Sequence, residues 1–490
     1  MFDTIRQLLK HSSIYGLGDL ASRSIGFLMI PIYTHYLSTE QYGVLELLDL
    51  VSYVFGIVME VGITQAVVRY YHQYDARQRD QLITMALVSI IGVSAVFLTP
   101  MMLSAPWISS LVFETPDFSR FLNITFATLA IQLLNGVPMT LLRIQERSVL
   151  FVSISLSRLL LSLSLNILFI VYLDFGVEGI LLSGLITSGL LGLFLISRLL
   201  TEIRISFDAS IARSMLTYSA PLLGSWAGMY ILNFGDRFFL QRFDGLADIG
   251  IYALAYKFGM MPNMLILSPF LRIWRPKRFE IVEDPNARPI FGHVFSYFWF
   301  VQLFVVLGIS TLIPDVIQVI AGSEFQTAAR YVPLLLVGYM AYGAYSYFQF
   351  GLLLEKKTLY LGGFVLAVAG LNVAMNFILI PKLGIMGAAV STASSFTLLA
   401  GMIFLYSQSL YRIPYEGFRL LVMTSVALCL YFLSSSIPIK DPAWAIGIKL
   451  LIALTFPLWL WMFGLVRDYE MNRIRDIWES VRGVAGKASS

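Results

Sequence analysis

Fourteen apolar segments of about 20 residues, separated by short polar gaps, run the length of this 490-residue chain, and the first twelve read as one six-segment pattern written twice. Each segment is long enough to cross a hydrocarbon core of roughly 30 Å as a helix. With 58% hydrophobic and only 13% charged residues, the chain has too little polar surface to cover a soluble globule. The expected fold is an all-α polytopic membrane protein with 14 transmembrane helices, arranged as two parallel six-helix lobes plus two extra C-terminal helices.

The spans are expected near 12–35, 43–68, 81–104, 121–142, 150–172 and 179–200, then near 215–238, 249–271, 291–313, 328–352, 358–380 and 385–408. An extra pair follows near 419–436 and 443–465. This divides the chain into an N-terminal lobe (1–205), a C-terminal lobe (206–410), helices 13 and 14 (411–466) and a tail (467–490). In the tail, Met471, Ile474, Ile477, Trp478 and Val481 share one stripe flanked by Arg473, Arg475 and Arg482, as in a helix lying on a membrane surface.

Basic residues set the orientation, because Lys and Arg are retained on the cytoplasmic side during insertion. With the amino terminus inside, the cytoplasmic gaps collect about 24 of the Lys and Arg side chains. The densest cluster is Arg272, Arg275, Lys277, Arg278 and Arg288, whereas the opposite side keeps Arg120, Arg242, Lys382 and Lys440. Both termini are therefore expected in the cytoplasm, with the chain crossing the cell membrane. The net charge of +4 follows from this topology and does not indicate nucleic-acid binding. The first apolar segment carries Asp19 and Arg23 with no cleavage pattern after it, so it reads as a retained span. A lone cysteine, Cys429, excludes an intrachain disulfide and reads as a small buried residue. His11, His35, His72 and His293 lack metal-ligand spacing, so no metal or organic cofactor is expected.

Three matches carry the duplication. Tyr42-Gly43-Val44 pairs with Ile249-Gly250-Ile251, and Phe175-Gly176-Val177-Glu178-Gly179 with Ser183 pairs with Leu383-Gly384-Ile385-Met386-Gly387 with Ser391. Asn166-Ile167-Leu168-Phe169-Ile170 pairs with Asn376-Phe377-Ile378-Leu379-Ile380. Nearly constant offsets, in order, mark an internal repeat. Six is even, so the two repeats enter the membrane the same way round, an arrangement suited to rocking about a cavity.

Ionisable groups deep in a span cost about 2.5–3.5 kcal/mol each, so they mark a hydrated path or a pairing partner. Asp19 and Arg23 stand one helical turn apart, and Glu46, Asp49, Tyr53, Gly56 and Glu60 fall on one stripe of the second span. The fifth span places Ser155, Arg158, Ser162 and Asn166 on one face. The seventh ends in Asp236-Arg237, and the eighth carries Tyr252, Tyr256 and Lys257. Arg23, Arg158, Arg237 and Lys257 are the candidate cations of a substrate cavity, suited to phosphate. Asp19, Glu46, Asp49, Glu60 and Asp236 are the candidate carboxylates for H+ or Na+ coupling, or act as structural partners of those cations. Tyr53, Tyr252, Tyr256, Tyr342, Asn166 and Asn376 are candidate sugar contacts. Most tyrosines of the tenth span read as interfacial residues. Prolines and glycines within spans, among them Pro31, Pro138, Pro221, Pro262, Pro269, Gly224 and Gly228, are candidate bends.

The sequence contains no Walker-type P-loop, no His-Glu-x-x-His and no long extramembrane loop, which leaves little for an enzyme. The stretch from Gly26 to Gly43, GFLMIPIYTHYLSTEQYG, resembles the opening signature of bacterial oligosaccharide flippases, the Wzx-type polysaccharide transporters. These belong to the superfamily that also holds multidrug exporters and peptidoglycan-precursor flippases. Asp236–Leu240 and Gly250–Lys257 are similar to the seventh and eighth helices of that family. The resemblance implies a carrier that moves a polyprenyl-diphosphate-linked oligosaccharide, the repeat unit of a surface polysaccharide, from the cytoplasmic to the outer leaflet by alternating access. Its partners would be that glycan, membrane lipid and other polysaccharide-assembly proteins, with a monomer sufficient for transport. The rivals are a multidrug or cation exporter of the same superfamily, a membrane polymerase or ligase, and a non-transporting scaffold.

Overall fold

In a bilayer every backbone N–H and C=O must find a partner within the protein, and an apolar segment does this most simply as a helix. The computed structural model, which describes residues 26–60, 62–219, 222–439 and 441–465, is helical throughout, with no strand among the described residues. Short helix α1 (Ile30–Tyr36) leads into α2 (Thr39–Glu60) and α3 (Ile63–Tyr70), with Gly62 in the left-handed conformation before α3. Then come α4 (Ala76–Leu103), α5 (Ala105–Phe113), α6 (Ser119–Ile144), α7 (Ser148–Asn166) and α8 (Gly176–Glu202). A π-helical stretch, Ile167–Tyr172, follows α7. Next are α9 (Ala209–Ser219), α10 (Leu222–Phe234), α11 (Asp236–Phe243), α12 (Leu246–Gly259) and α13 (Ser268–Ile281). The long α14 (Ala287–Ile320) is followed by α15 (Val332–Phe348), α16 (Phe350–Leu354), α17 (Thr358–Leu383), α18 (Ile385–Leu410), α19 (Gly417–Ser435), α20 (Pro442–Leu454) and α21 (Phe456–Met462).

Nine helical stretches among the described residues are long and apolar enough to cross a membrane. They are Ala76–Leu103, Pro116–Ile144, Ser148–Tyr172, Gly176–Glu202, Ala287–Ile320, Thr358–Leu383, Ile385–Leu410, Gly417–Ser435 and Pro442–Met462. Each coincides with a span expected from the sequence. The other expected spans are interrupted or charged: the second divides at Gly62, the eighth passes through a π turn at Asn263–Leu267, and the tenth divides between α15 and α16. Most of the first span, with Asp19 and Arg23, lies outside the described residues, as do Pro221, Lys440 and the amphipathic tail.

Packing groups the chain into two compact units. One comprises the described residues within Met1–Lys257, Ile320–Tyr331 and Leu359–Ser395; the other comprises Phe258–Val319, Val332–Thr358 and those within Phe396–Ser490. In the first unit, α3, α4, α6 and α8 enclose a core that includes Ile63, Val67, Leu82, Ile83, Ile90, Val137 and Leu199. The start of α4 is fixed by a capping box, in which Asp75 accepts from the Gln78 N–H and Gln78 accepts from the Asp75 N–H. In the second unit, Trp274, Phe291, Phe295, Phe298 and Tyr347 form a continuous aromatic cluster.

Three of the tenth-span tyrosines are enclosed by the protein. Tyr339, Tyr345 and Tyr347 are buried, and the Tyr347 hydroxyl donates to the Phe291 carbonyl at 2.7 Å. Ring stacking within the unit, with a backbone acceptor for the hydroxyl, takes the place of water. Cys429 is exposed rather than buried, on an apolar groove with Leu433 and Trp459.

Two of the segments paired in the sequence carry similar hydrogen bonds. The Asn166 amide donates to the Ser162 carbonyl and hydroxyl, and the Ser183 hydroxyl donates to the same Ser162 carbonyl at 3.3 Å. In the matching segment the Asn376 amide donates to the Asn372 side chain, and the Ser391 hydroxyl donates to the Asn372 carbonyl at 3.4 Å. In both copies an Asn reaches back one helical turn while a Ser from the next helix bonds the same residue.

Candidate functional site: a polar chamber in the first unit

The polar stripe of α2 cannot face hydrocarbon, and its first turns open onto a cavity of about 390 Å³. Glu46 and Asp49 project from α2, Thr125, Thr128 and Gln132 from α6, Arg158, Ser162 and Asn166 from α7, and Thr187 and Ser188 from α8. Tyr33 of α1, Tyr42 of α2 and Lys257 of α12 complete the wall. Five of the side chains singled out from sequence, Glu46, Asp49, Arg158, Asn166 and Lys257, thus meet in one place although up to 211 residues separate them (257 − 46).

Their states differ. Lys257 donates from Nζ to the Tyr42 hydroxyl at 2.6 Å and lies 4.8 Å from the centre of that ring. Asn166 accepts from the Tyr33 hydroxyl at 3.3 Å, at the point where α7 passes into its π-helical turn. Such turns widen a helix and are frequent at functional sites. Arg158 and Asp49 are exposed to the chamber, and neither makes an ion pair within 4 Å among the described residues. Glu46, on the chamber wall, accepts from Arg237 Nε at 3.1 Å.

Arg237 does not line the chamber. It is 1% exposed, and besides Glu46 it donates to Asp236 and to the Asn233 carbonyl, both at 2.9 Å. Its guanidinium lies 4.0 Å from the centre of the Tyr256 ring and 5.1 Å from those of Phe234 and Tyr252. Asp236 is engaged as fully, accepting from the Tyr252 hydroxyl at 2.5 Å and the Thr392 hydroxyl at 3.1 Å. Arg237, Asp236, Tyr252 and Tyr256 therefore form an enclosed network whose donors and acceptors serve one another. Among the described residues the chamber carries two cations, Arg158 and Lys257, and two carboxylates, Asp49 and Glu46, the latter paired with Arg237.

The remaining candidates lie elsewhere. Tyr53 stacks on Tyr230 at 5.3 Å. Glu60 accepts from the Thr64 hydroxyl and lines a separate cavity of about 730 Å³ with His72 and Arg143. Asn376 is buried beside Asn372, and its Oδ1 has no partner. Tyr342 packs against Tyr339 and Phe396 in the second unit. Sequence reading passed over Thr125, Thr128, Gln132, Thr187 and Ser188. The first three are spaced three and four apart on α6, the periodicity of one helix face, so that signal was present but uncharged.

A chamber lined by charges, amides and hydroxyls, within a chain of membrane-length apolar helices, defines a membrane transporter rather than an enzyme. The comparisons with known proteins agree. The family model for polysaccharide biosynthesis protein matches residues 8–281. An Lsg locus protein of Haemophilus influenzae is 23% identical over 346 residues, covering 68% of this chain and 81% of that protein. The succinoglycan biosynthesis transport protein ExoT of Rhizobium meliloti is 24% identical over 352 residues, covering 70% of this chain and 64% of ExoT, less than two thirds of its length. Among solved structures, the lipid II flippase MurJ in an inward closed conformation superposes with a TM-score of 0.76 at 16% identity, covering 92% of this chain and all of that one. The chain belongs to the polysaccharide biosynthesis protein family.

Proposed function

We propose that this transporter carries a polyprenyl-diphosphate-linked oligosaccharide from the cytoplasmic to the outer leaflet of the inner membrane, presenting its chamber to one side at a time. The observation that carries this reading is the state of Arg158 in the chamber. Arg158 has no carboxylate partner among the described residues, and a guanidinium without one is suited to bind phosphate oxygens through paired N–H donors. Around it, Thr128, Gln132, Asn166 and Ser188 offer the short amide and hydroxyl groups that bind sugar hydroxyls. Asp49 is the candidate coupling group, since a lone carboxylate in a hydrated path can take up H+ or Na+. A carrier of cationic drugs would place its charge balance the other way.

The test is transport of a fluorescent polyprenyl-diphosphate disaccharide in proteoliposomes, scored by its accessibility to an impermeant reagent. Purified protein is expected to move the labelled lipid, and Arg158→Gln to slow it without loss of fold. A correctly folded protein that moves no lipid-linked glycan but expels an organic cation would overturn the proposal.

A further inference from the structure

At one end of the second unit the structure buries a cation without an anion among the described residues. Arg278, on α13, is 4% exposed, and its Nε and Nη1 are enclosed with no hydrogen-bond acceptor among the described residues. One turn earlier on the same face, Trp274 is 5% exposed and its indole N–H also lacks an acceptor. Aromatic faces surround the guanidinium, which lies 5.3 Å from the ring centres of both Phe279 and Phe350. Such faces attract a cation but accept no N–H hydrogen bond of ordinary strength. The only carboxylate that forms an ion pair from α13 among the described residues, Glu280, is held by Lys277 at 2.6 Å. Burial, with the neighbouring charge of Arg275, pushes the Arg278 guanidinium down to about 10 from its ordinary value.

A buried charge with idle donors is costly unless an outside group supplies the acceptor. We propose that the Arg275–Arg278 corner of α13 binds the phosphate of a membrane lipid. Two features select a lipid-borne phosphate over a free one. Exposed Ile273 and Phe279, 74% and 45% accessible, alternate with the basic side chains, which is the mixed surface that headgroups and upper acyl carbons cover. The basic run also follows directly on an apolar stretch that ends near Leu271, so Arg275 and Arg278 lie roughly 6–10 Å further along the helix, at headgroup depth. A phosphate beside Arg275 gives both guanidinium groups an acceptor, with bidentate geometry available at each.

The experiment is thermal unfolding of the purified full chain in a neutral sugar detergent, titrated with phosphatidylglycerol, diacylglycerol or inorganic phosphate. Phosphatidylglycerol is expected to raise the Tm of the unmodified protein by roughly 2–4 °C, and diacylglycerol and millimolar phosphate to leave it unchanged. Arg278→Met is expected to abolish the response, and Lys277→Met to keep it. Trp274→Phe, which retains the ring stacking and deletes the N–H, is expected to shift the titration midpoint several-fold and serves if Arg278→Met does not fold. An equal response in Arg278→Met and the unmodified protein, or an equal effect of diacylglycerol, overturns the proposal. A full response to inorganic phosphate alone overturns the assignment to lipid.

Discussion

Gly43 and Gly250, equivalent positions of the internal repeat, face each other across a backbone-to-backbone helix crossing. A Cβ on Gly43 would overlap the Leu246 carbonyl and approach the Gly250 N, and a Cβ on Gly250 would overlap the Thr39 carbonyl and approach the Gly43 N. The contact is reciprocal. It brings α2 and α12 close enough for Tyr42 to reach Lys257. Gly43→Ala and Gly250→Ala are each expected to lower stability by about 1–3 kcal/mol, because backbone atoms cannot yield as a flexible side chain can. Thermal unfolding in detergent checks this. The double variant should cost less than the sum of the singles, since one displacement of the helices relieves both overlaps.

The chamber cation without a carboxylate partner is the one whose loss should affect transport and spare the fold. Arg158→Gln is expected to weaken binding of a diphosphate-bearing headgroup by about 10- to 100-fold, the worth of one charge-assisted contact, with a Tm near that of the unmodified protein. Equilibrium binding of a short-chain polyprenyl diphosphate would measure it. Arg158→Lys should recover part of the loss, as a point charge replaces a fork.

The enclosed network around Arg237 should behave oppositely. Arg237→Met leaves Asp236, 2% exposed, and Glu46 without their cation, and is expected to cost about 3–5 kcal/mol. The readout is loss of folded protein in size-exclusion chromatography and a large fall in Tm. Arg237→Met/Asp236→Asn should be less damaging than Arg237→Met alone, because less charge is then stranded.

In the second unit, Lys449 of α20 donates to Asp315 of α14 at 2.6 Å, with both side chains largely buried. Lys449→Met or Asp315→Leu alone strands one charge and is expected to cost about 3–5 kcal/mol, whereas the pair of substitutions together should be close to neutral. A double-mutant cycle read by thermal unfolding gives the coupling directly.

Glu46, Asp49, Arg158, Asn166 and Lys257 were legible as site residues because an ionisable or strongly polar group in an apolar span needs a reason, and helical spacing says which of them share a face. The same reasoning marked Arg237, Asp236, Tyr252 and Tyr256 but could not separate a chamber wall from a sealed network. That depends on which side chain from a distant segment arrives opposite. Glu46 shows the point: its stripe on α2 was readable, yet its turn towards Arg237, 191 residues away, was not. Uncharged groups such as Gln132 and Thr187 carried too weak a signal to stand out among ordinary helix-packing polar residues.

What the sequence determined by itself is the solvent and the element: composition and the length of its apolar segments place the chain in a bilayer as helices, because lipid offers the backbone no other partner. Only the tertiary structure decided which charges cancel and which stay free, leaving Arg158 and Asp49 open in the chamber, Arg237 consumed, and Arg278 buried without an acceptor. The physical reason is that pairing acts over a few ångströms of space, while a sequence records only distance along the chain.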